Sequence, residues 1–231
     1  MRADSDSVSE NDQWLYDDED KMLFDFTSEC DFNEESAKKW YESIDVGRNV
    51  GGVSKATLVL QKTEEHQRAV LFALINTKNV ENEEEFVSAG VQHNITFDYN
   101  ILNEWDQKKV LELLLRSQGS LEHWKIVLKE RPTEKGEKHY TYEATFSVDP
   151  FVDHESFFEN VIIQYDDFKA HYNGQEVFDA PKMELTKIET FGIEAIGGHI
   201  KQDGSRQAGV GSLEIKKIHI YDYFGCDGWG A

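Results

Sequence analysis

The chain is predicted to fold as one mostly β domain, a β-sandwich of jelly-roll type with a short N-terminal helix. Three observations carry that expectation. Short apolar stretches with period-two alternation recur from the front of the chain to its end. Turn-forming residues separate them, and no Pro-rich or Gly/Ser-rich linker divides the chain. Its 231 residues, 39% of them hydrophobic and including 14 Phe, 9 Tyr and 5 Trp, suffice for a sizeable core, and sandwiches of this length commonly form a single unit.

The elements follow in order. Residues 1–21 read as an acidic, flexible segment, because Asp4, Asp6, Glu10, Asp12, Asp17, Asp18, Glu19 and Asp20 face only Arg2 and Lys21. Residues 22–224 form the domain, and 225–231 a C-terminal tail. Residues 22–26 (MLFDF) predict a first strand with Leu23 and Phe24 or Phe26 turned inward. Residues 28–41 look helical, with Phe32, Ala37, Trp40 and Tyr41 as the apolar members.

β patterns dominate from there. Residues 57–61 and 69–75 are two apolar runs joined by a polar connection, the pattern of a hairpin. Residues 90–99 alternate. Residues 110–116 are almost continuously apolar, which predicts a central strand covered on both faces. Trp124, Ile126 and Leu128, then Tyr140, Tyr142, Ala144 and Phe146 across a PTEKGEK turn, make the clearest antiparallel pair. Residues 158–165 and 191–196 supply further strands. Asp203 and Gly204 mark a turn into a closing strand over 212–221, with a bulge near Lys216 and Lys217. The total comes to about nine or ten strands.

Charge narrows the function classes. A formal net charge of −21 excludes a nucleic-acid partner, which needs clustered Lys and Arg to displace counterions, and it disfavours an anionic membrane leaflet. No apolar run reaches the length of about 20 residues that spans a bilayer, so a soluble or peripheral protein is expected. The opening MRADSDSVSE matches neither a secretory leader nor an Arg-rich mitochondrial presequence. The chain is thus read as a processed form or as one that stays where it is made. Cys30 and Cys226 form no CxxC motif; two thiols in a reducing compartment are expected, with a single bridge as the alternative.

Chemical motifs are missing. The eight histidines are scattered singly, with no HExxH or HxH spacing. There is no GxSxG and no P-loop or dinucleotide fingerprint, and the GVG at 209–211 lacks the helix and third glycine that would give it meaning. Asp166 and Asp167 are adjacent, so on a strand they would point to opposite faces; they are read as the start of a turn. Residues 50–54 (VGGVS) hold two consecutive glycines, which permit a positive φ or a close backbone approach before a strand. No catalytic residue, metal ligand or cofactor site is assigned.

Taken in order, these pieces resemble the CIA30 domain family, known from the mitochondrial complex I intermediate-associated protein of 30 kDa. An FxF strand (Phe24, Asp25, Phe26) is followed by Trp40 and then by a GG-x-S turn (Gly51, Gly52, Ser54). Trp124 comes next, then Asp167 and Phe168 with Gly174, then Leu185, Lys187, Ile188 and Gly192, and last Gly211, Leu213, Glu214, Ile215 and Ile218. The resemblance spans roughly residues 22–221. It implies a galactose-binding-like sandwich in which Trp40, Trp124, Phe168, Gly192, Leu213 and Ile215 are core positions of the motif. Gly51, Gly52 and Ser54 would form a structural or partner-binding turn.

Its functional implication is a non-enzymatic, chaperone-like assembly factor for respiratory complex I (NADH dehydrogenase) on the matrix side of the inner mitochondrial membrane. The implied partners are complex I subunits or intermediates and other assembly factors, including an acyl-CoA-dehydrogenase-like protein and an adaptor. Membrane association would be peripheral, through those partners. Loops such as 47–54 and 171–181 would carry the binding. The rival reading is a carbohydrate-binding module, since the same architecture binds glycans. That reading needs Trp105 or Trp124 exposed on a concave sheet, and a secreted home would make the Asn94-Ile95-Thr96 sequon usable.

Overall fold

A computed structural model describes residues 21–28, 33–44, 54–64, 66–77, 87–95, 109–131, 138–150, 158–172, 174–198 and 204–222. Among them two antiparallel sheets stack face to face. Sheet A has the order β3 (Lys55–Lys62), β4 (Gln67–Ile75), β13 (Gly209–Asp222), β6 (Lys109–Gly119) and β9 (Glu159–Gln164), with β1 (Lys21–Asp25) paired to β13. Sheet B has the order β11 (Gln175–Glu176), β10 (Lys169–Tyr172), β8 (Thr141–Ser147), β7 (His123–Glu130), β12 (Ile188–Gly197), β5 (Val87–Asn94) and β2 (Trp40–Ile44). The protein is a mostly β sandwich, as its alternation predicts.

Inward positions of the two sheets make one core. Ala69, Leu71, Ala73, Leu111, Leu113, Leu115, Leu213, Ile215, Ile218 and Ile220 come from sheet A, and Trp124, Ile126, Leu128, Phe191 and Ile193 from sheet B. Alternation drives this, because one face of each sheet must leave water. At one side Phe24, Trp40, His93 and Phe191 pack with ring centroids 5.0 to 6.5 Å apart, in tilted and edge-on geometries that favour the ring quadrupoles.

Several expectations need adjusting. The helix predicted over 28–41 is only α1, Glu34–Lys38, capped by the Asn33 side chain accepting from the Ser36 N–H. Trp40 and Tyr41 belong to β2 instead. An extended backbone sends Trp40 into the aromatic cluster while Tyr41 faces out, and the burial gained outweighs a weak helical pattern. The strand read at 90–99 is β5, Val87–Asn94, and positions 96–99 lie outside the described residues. The closing strand, β13, lies inside sheet A, with β4 and β1 on one side and β6 on the other. The 3–4 and 7–8 hairpins and the bulge between Ile215 and Lys217 are as read.

A candidate docking face

Outward positions of an antiparallel sheet normally carry polar residues. On β4, whose sequence is QRAVLFALI, they carry Arg68, Val70, Phe72 and Leu74. Leu74 lies between Lys55 and Val210 in register, and Phe72 between Thr57 and Ser212. Val59, Phe72, Leu74 and Val210 are 44, 46, 40 and 62% exposed, so this end of sheet A presents an apolar patch to solvent. β4 has the composition of a strand covered on both faces; its outer face is buried at Val70 but open at Phe72 and Leu74 among the described residues.

Cations adjoin the patch. In the next row the buried Glu214 carboxylate accepts two hydrogen bonds of 2.8 Å from Arg116 Nη2 and one of 2.9 Å from Gln118 Nε2, and Arg68 Nε lies 3.0 Å from it. Lys216, next to the inward Ile215, alternates onto the same outer face and joins this cluster. Its ammonium lies 4.0 Å from the centre of the Phe158 ring, which also faces the Arg116 guanidinium at 5.1 Å. Burial pushes the Lys216 pKa down, and the neighbouring Arg116 and Arg68 charges push it the same way against the pull of Glu214.

The outer face of sheet B is different in kind. Glu194, from the middle of β12, accepts from Ser43 Oγ at 2.8 Å, Ser88 Oγ at 2.8 Å and Gln92 Nε2 at 3.1 Å. Lys125 Nζ sits 3.4 Å from Glu194 and 2.8 Å from Glu143. Burial opposes the Glu194 charge, but Lys125 and the three donors outweigh it and hold the carboxyl below the ordinary carboxylate range. This carboxylate is therefore no proton donor at neutral pH, and its network serves to stitch β2, β5, β12 and β7 together. Tyr41, exposed at the sheet edge, donates to Asn94 Oδ1 at 3.1 Å.

The residues singled out by sequence fall in several places. Trp40, Trp124, Leu213 and Ile215 lie in the core, and Phe168 packs half-buried against it. Gly192 is buried on the outer side of sheet B, beside Gln92 and Val127. Ser54 is buried, and its Oγ accepts from the Asn76 N–H at 3.1 Å, joining the start of β3 to the end of β4. Gly51, Gly52, Cys30, Cys226 and Trp105 lie outside the described residues. Asp166 and Asp167 form a 3-10 turn after β9, where Asp167 accepts from the Gln164 N–H at 2.7 Å.

Gly209 and Gly211 are also explained by packing. Gly209 has φ +103°, and a Cβ on Gly211 would meet Leu121 at 2.7 Å. In the loop of 171–181, Phe178 is exposed almost completely. Among the described residues no three or more His, Cys, Asp and Glu side chains gather as a metal site, and no helix is long and apolar enough to cross a membrane. Sequence reasoning missed the outer face of β4 and the buried Glu194 and Glu214. The signal for the first was legible in QRAVLFALI, an apolar run without strict alternation.

The family model described as complex I intermediate-associated protein 30 (CIA30) matches residues 24–215. No curated protein sequence matches the chain. Among solved structures, the chain is similar to a family 11 carbohydrate-binding module from Clostridium thermocellum in complex with a β-1,3-1,4-mixed-linked tetrasaccharide. The TM-score is 0.55 at 12% identity, over 88% of this chain and 96% of that one. The family 11 module of the cellulosomal cellulase Lic26A-Cel5E of the same organism gives 0.54 at 12% identity, over 88 and 94%. At such identity the likeness is one of fold.

Proposed function

The chain belongs to the complex I intermediate-associated protein 30 (CIA30) family, and from that premise we propose that it is a non-enzymatic assembly factor for mitochondrial respiratory complex I. In this reading it binds assembly intermediates and other assembly factors on the matrix side of the inner membrane. The observation that carries it is the outer face of β4, where Phe72 and Leu74, with Val59 and Val210 beside them, lie exposed on a rigid sheet. Binding without catalysis needs shape and exposed apolar anchors, and no reactive group. Phe178, on the loop of 171–181, offers a second anchor. A partner that binds an intermediate but not its degraded forms raises the population of that intermediate by mass action.

The carbohydrate-binding alternative asks for flat aromatic rings presented on a concave sheet. Trp124 is 0% exposed and turned into the core, so it supplies none. The test is genetic. Cells lacking the protein are expected to accumulate incomplete complex I intermediates while other respiratory complexes stay near normal. Re-expression of the native chain should restore assembly. A Phe72→Gln, Val210→Asn double variant should still fold, since both side chains are exposed and outside the core, and fail to restore it. Normal complex I in the knockout overturns the reading.

A further inference from the structure

We propose that the outer face of sheet A receives an acidic, extended segment of a partner protein: a carboxylate of that segment enters between Arg68, Arg116 and Lys216, and its next apolar residues on the same side cover Phe72 and Leu74. The proposal rests on the reading of this face as the docking surface and names the chemistry of what docks.

Charge is the first argument. Acids outnumber bases in the chain, 45 against 24. On the outer side of β3, β4 and the parts of β13 and β6 paired beside them the balance is reversed. Register places Lys55, Arg68, Arg116 and Lys216 there, and Glu214 is the one carboxylate among the described residues of this area. Both arginines already share it, at 2.8 and 3.0 Å. The area therefore carries an excess of positive charge, opposite in sign to the chain, and attracts an acidic partner that the rest of the surface repels.

Lys216 is where that excess is felt. Its ammonium sits over the Phe158 ring at 4.0 Å and not on a carboxylate. Burial and the Arg116 and Arg68 charges lower its pKa, with Glu214 alone pulling the other way. A second carboxylate brought to this point relieves the repulsion, and it pairs with an ammonium already partly desolvated, where attraction is stronger than on an open surface.

Spacing is the third argument. Arg68 and Arg116 both reach Glu214, which lies in the row of Val70, and Phe72 and Leu74 follow on the same side of β4. Side chains on one side of a strand recur about every 7 Å. An extended segment laid along β4 repeats that interval, so an acid in the Val70 row puts its second and fourth following residues over Phe72 and Leu74. A bilayer would also offer anions and apolar surface, but the Arg68 and Arg116 side chains are only 16 and 7% exposed. One inserted side chain reaches such recessed groups; a plane of headgroups does not.

The experiment titrates the full, isotope-labelled chain with synthetic peptides and follows its amide resonances. The peptides alternate Thr with Glu, Phe and Leu in that order, and in two companions Gln or Lys replaces the Glu. The Glu peptide should shift the amides of Arg68, Phe72 and Lys216 and bind about fivefold more tightly than the Gln peptide, a preference that high salt removes. Lys216→Glu should turn the preference toward the Lys peptide, and Phe72→Gln should weaken the Glu and Gln peptides alike. If Lys216→Glu does not keep the native thermal midpoint, Lys216→Met takes its place and should bind the Glu and Gln peptides equally. Equal binding of these two by the native chain overturns the proposal. So does a preference that substitution of Lys216 leaves intact, or the absence of shifts on this face. Shifts there with phosphatidylcholine vesicles containing cardiolipin, and none with the Glu peptide, also overturn it and assign the face to a membrane. Failure of the peptide preference leaves the complex I reading standing, and normal complex I in the knockout leaves the peptide preference standing.

Discussion

Glu194 is a charged residue with 5% exposure in the middle of a strand, and it persists there because Lys125, Ser43, Ser88 and Gln92 between them satisfy its oxygens. Its pKa is lower folded than unfolded, so its contribution to stability is complete above the unfolded value of about 4.3 and is lost as pH falls through the lower folded value. Glu194→Gln should therefore cost about 2–4 kcal/mol at neutral pH, because the Lys125 charge loses a buried partner. Urea unfolding of the two proteins across pH should converge in acid; a gap independent of pH would count against an ionised Glu194. Gly90 meets the same network from below. A Cβ there would lie 2.0 Å from the Ile193 carbonyl oxygen and 2.5 Å from Glu194 Cα. Gly90→Ala should lower the urea midpoint with an unchanged slope, by roughly 2 kcal/mol or more, since β5 must part from β12. Gln207, fully buried, does comparable work at the strand ends, donating to the carbonyls of His123 and Ile196 and accepting from the Glu122 and His123 N–H groups.

Among elements, β12 and β13 hold the two sheets. β12 is paired on both sides along most of its length, to β5 and to β7, and β13 to β4 and β6. Their amides should exchange slowest with solvent deuterium, close to the global unfolding limit, while β2, β3 and β11 at the sheet edges exchange first. Equal protection of β11 and β12 would contradict this hierarchy. The bulge in β13 has a specific consequence for the surface. One extra residue between Ile215 and Ile218 keeps both inward and leaves Lys216 and Lys217 together on the outer face, Lys216 beside Phe158 and Lys217 near Asp25.

At the scale of the molecule, two sheets with unlike outer faces define what the sandwich can do. Sheet B spends its polar side chains on one another, as in the Glu194 network, and keeps Trp124 inside. Sheet A leaves Phe72, Leu74 and Val210 in solvent. The purified protein is therefore expected to pass unretarded through a column of immobilised mixed-linked β-glucan, despite the sandwich it shares with the family 11 modules. Retention that soluble glucan competes away would revive the carbohydrate reading.

Much of the architecture was legible in the sequence because it rests on local rules. The apolar runs 57–61 and 69–75 and the alternation in 124–129 and 140–146 announced two hairpins, and the motif order from Phe24 to Ile218 announced the family. Tertiary structure decided the rest. Trp40 reads as part of a helix over 28–41, and only the company of Phe24, His93 and Phe191 made it a strand residue. Phe72 sits within an apolar run, and only the opening of the outer face of β4 beyond the buried Val70 made it surface. Glu194 and Glu214 read as exposed charges in strands, yet their partners come from strands distant in sequence and meet them only on folding. Periodicity is set by neighbours along the chain, whereas burial and pairing are set by neighbours across it, and one sequence records the first far more directly than the second.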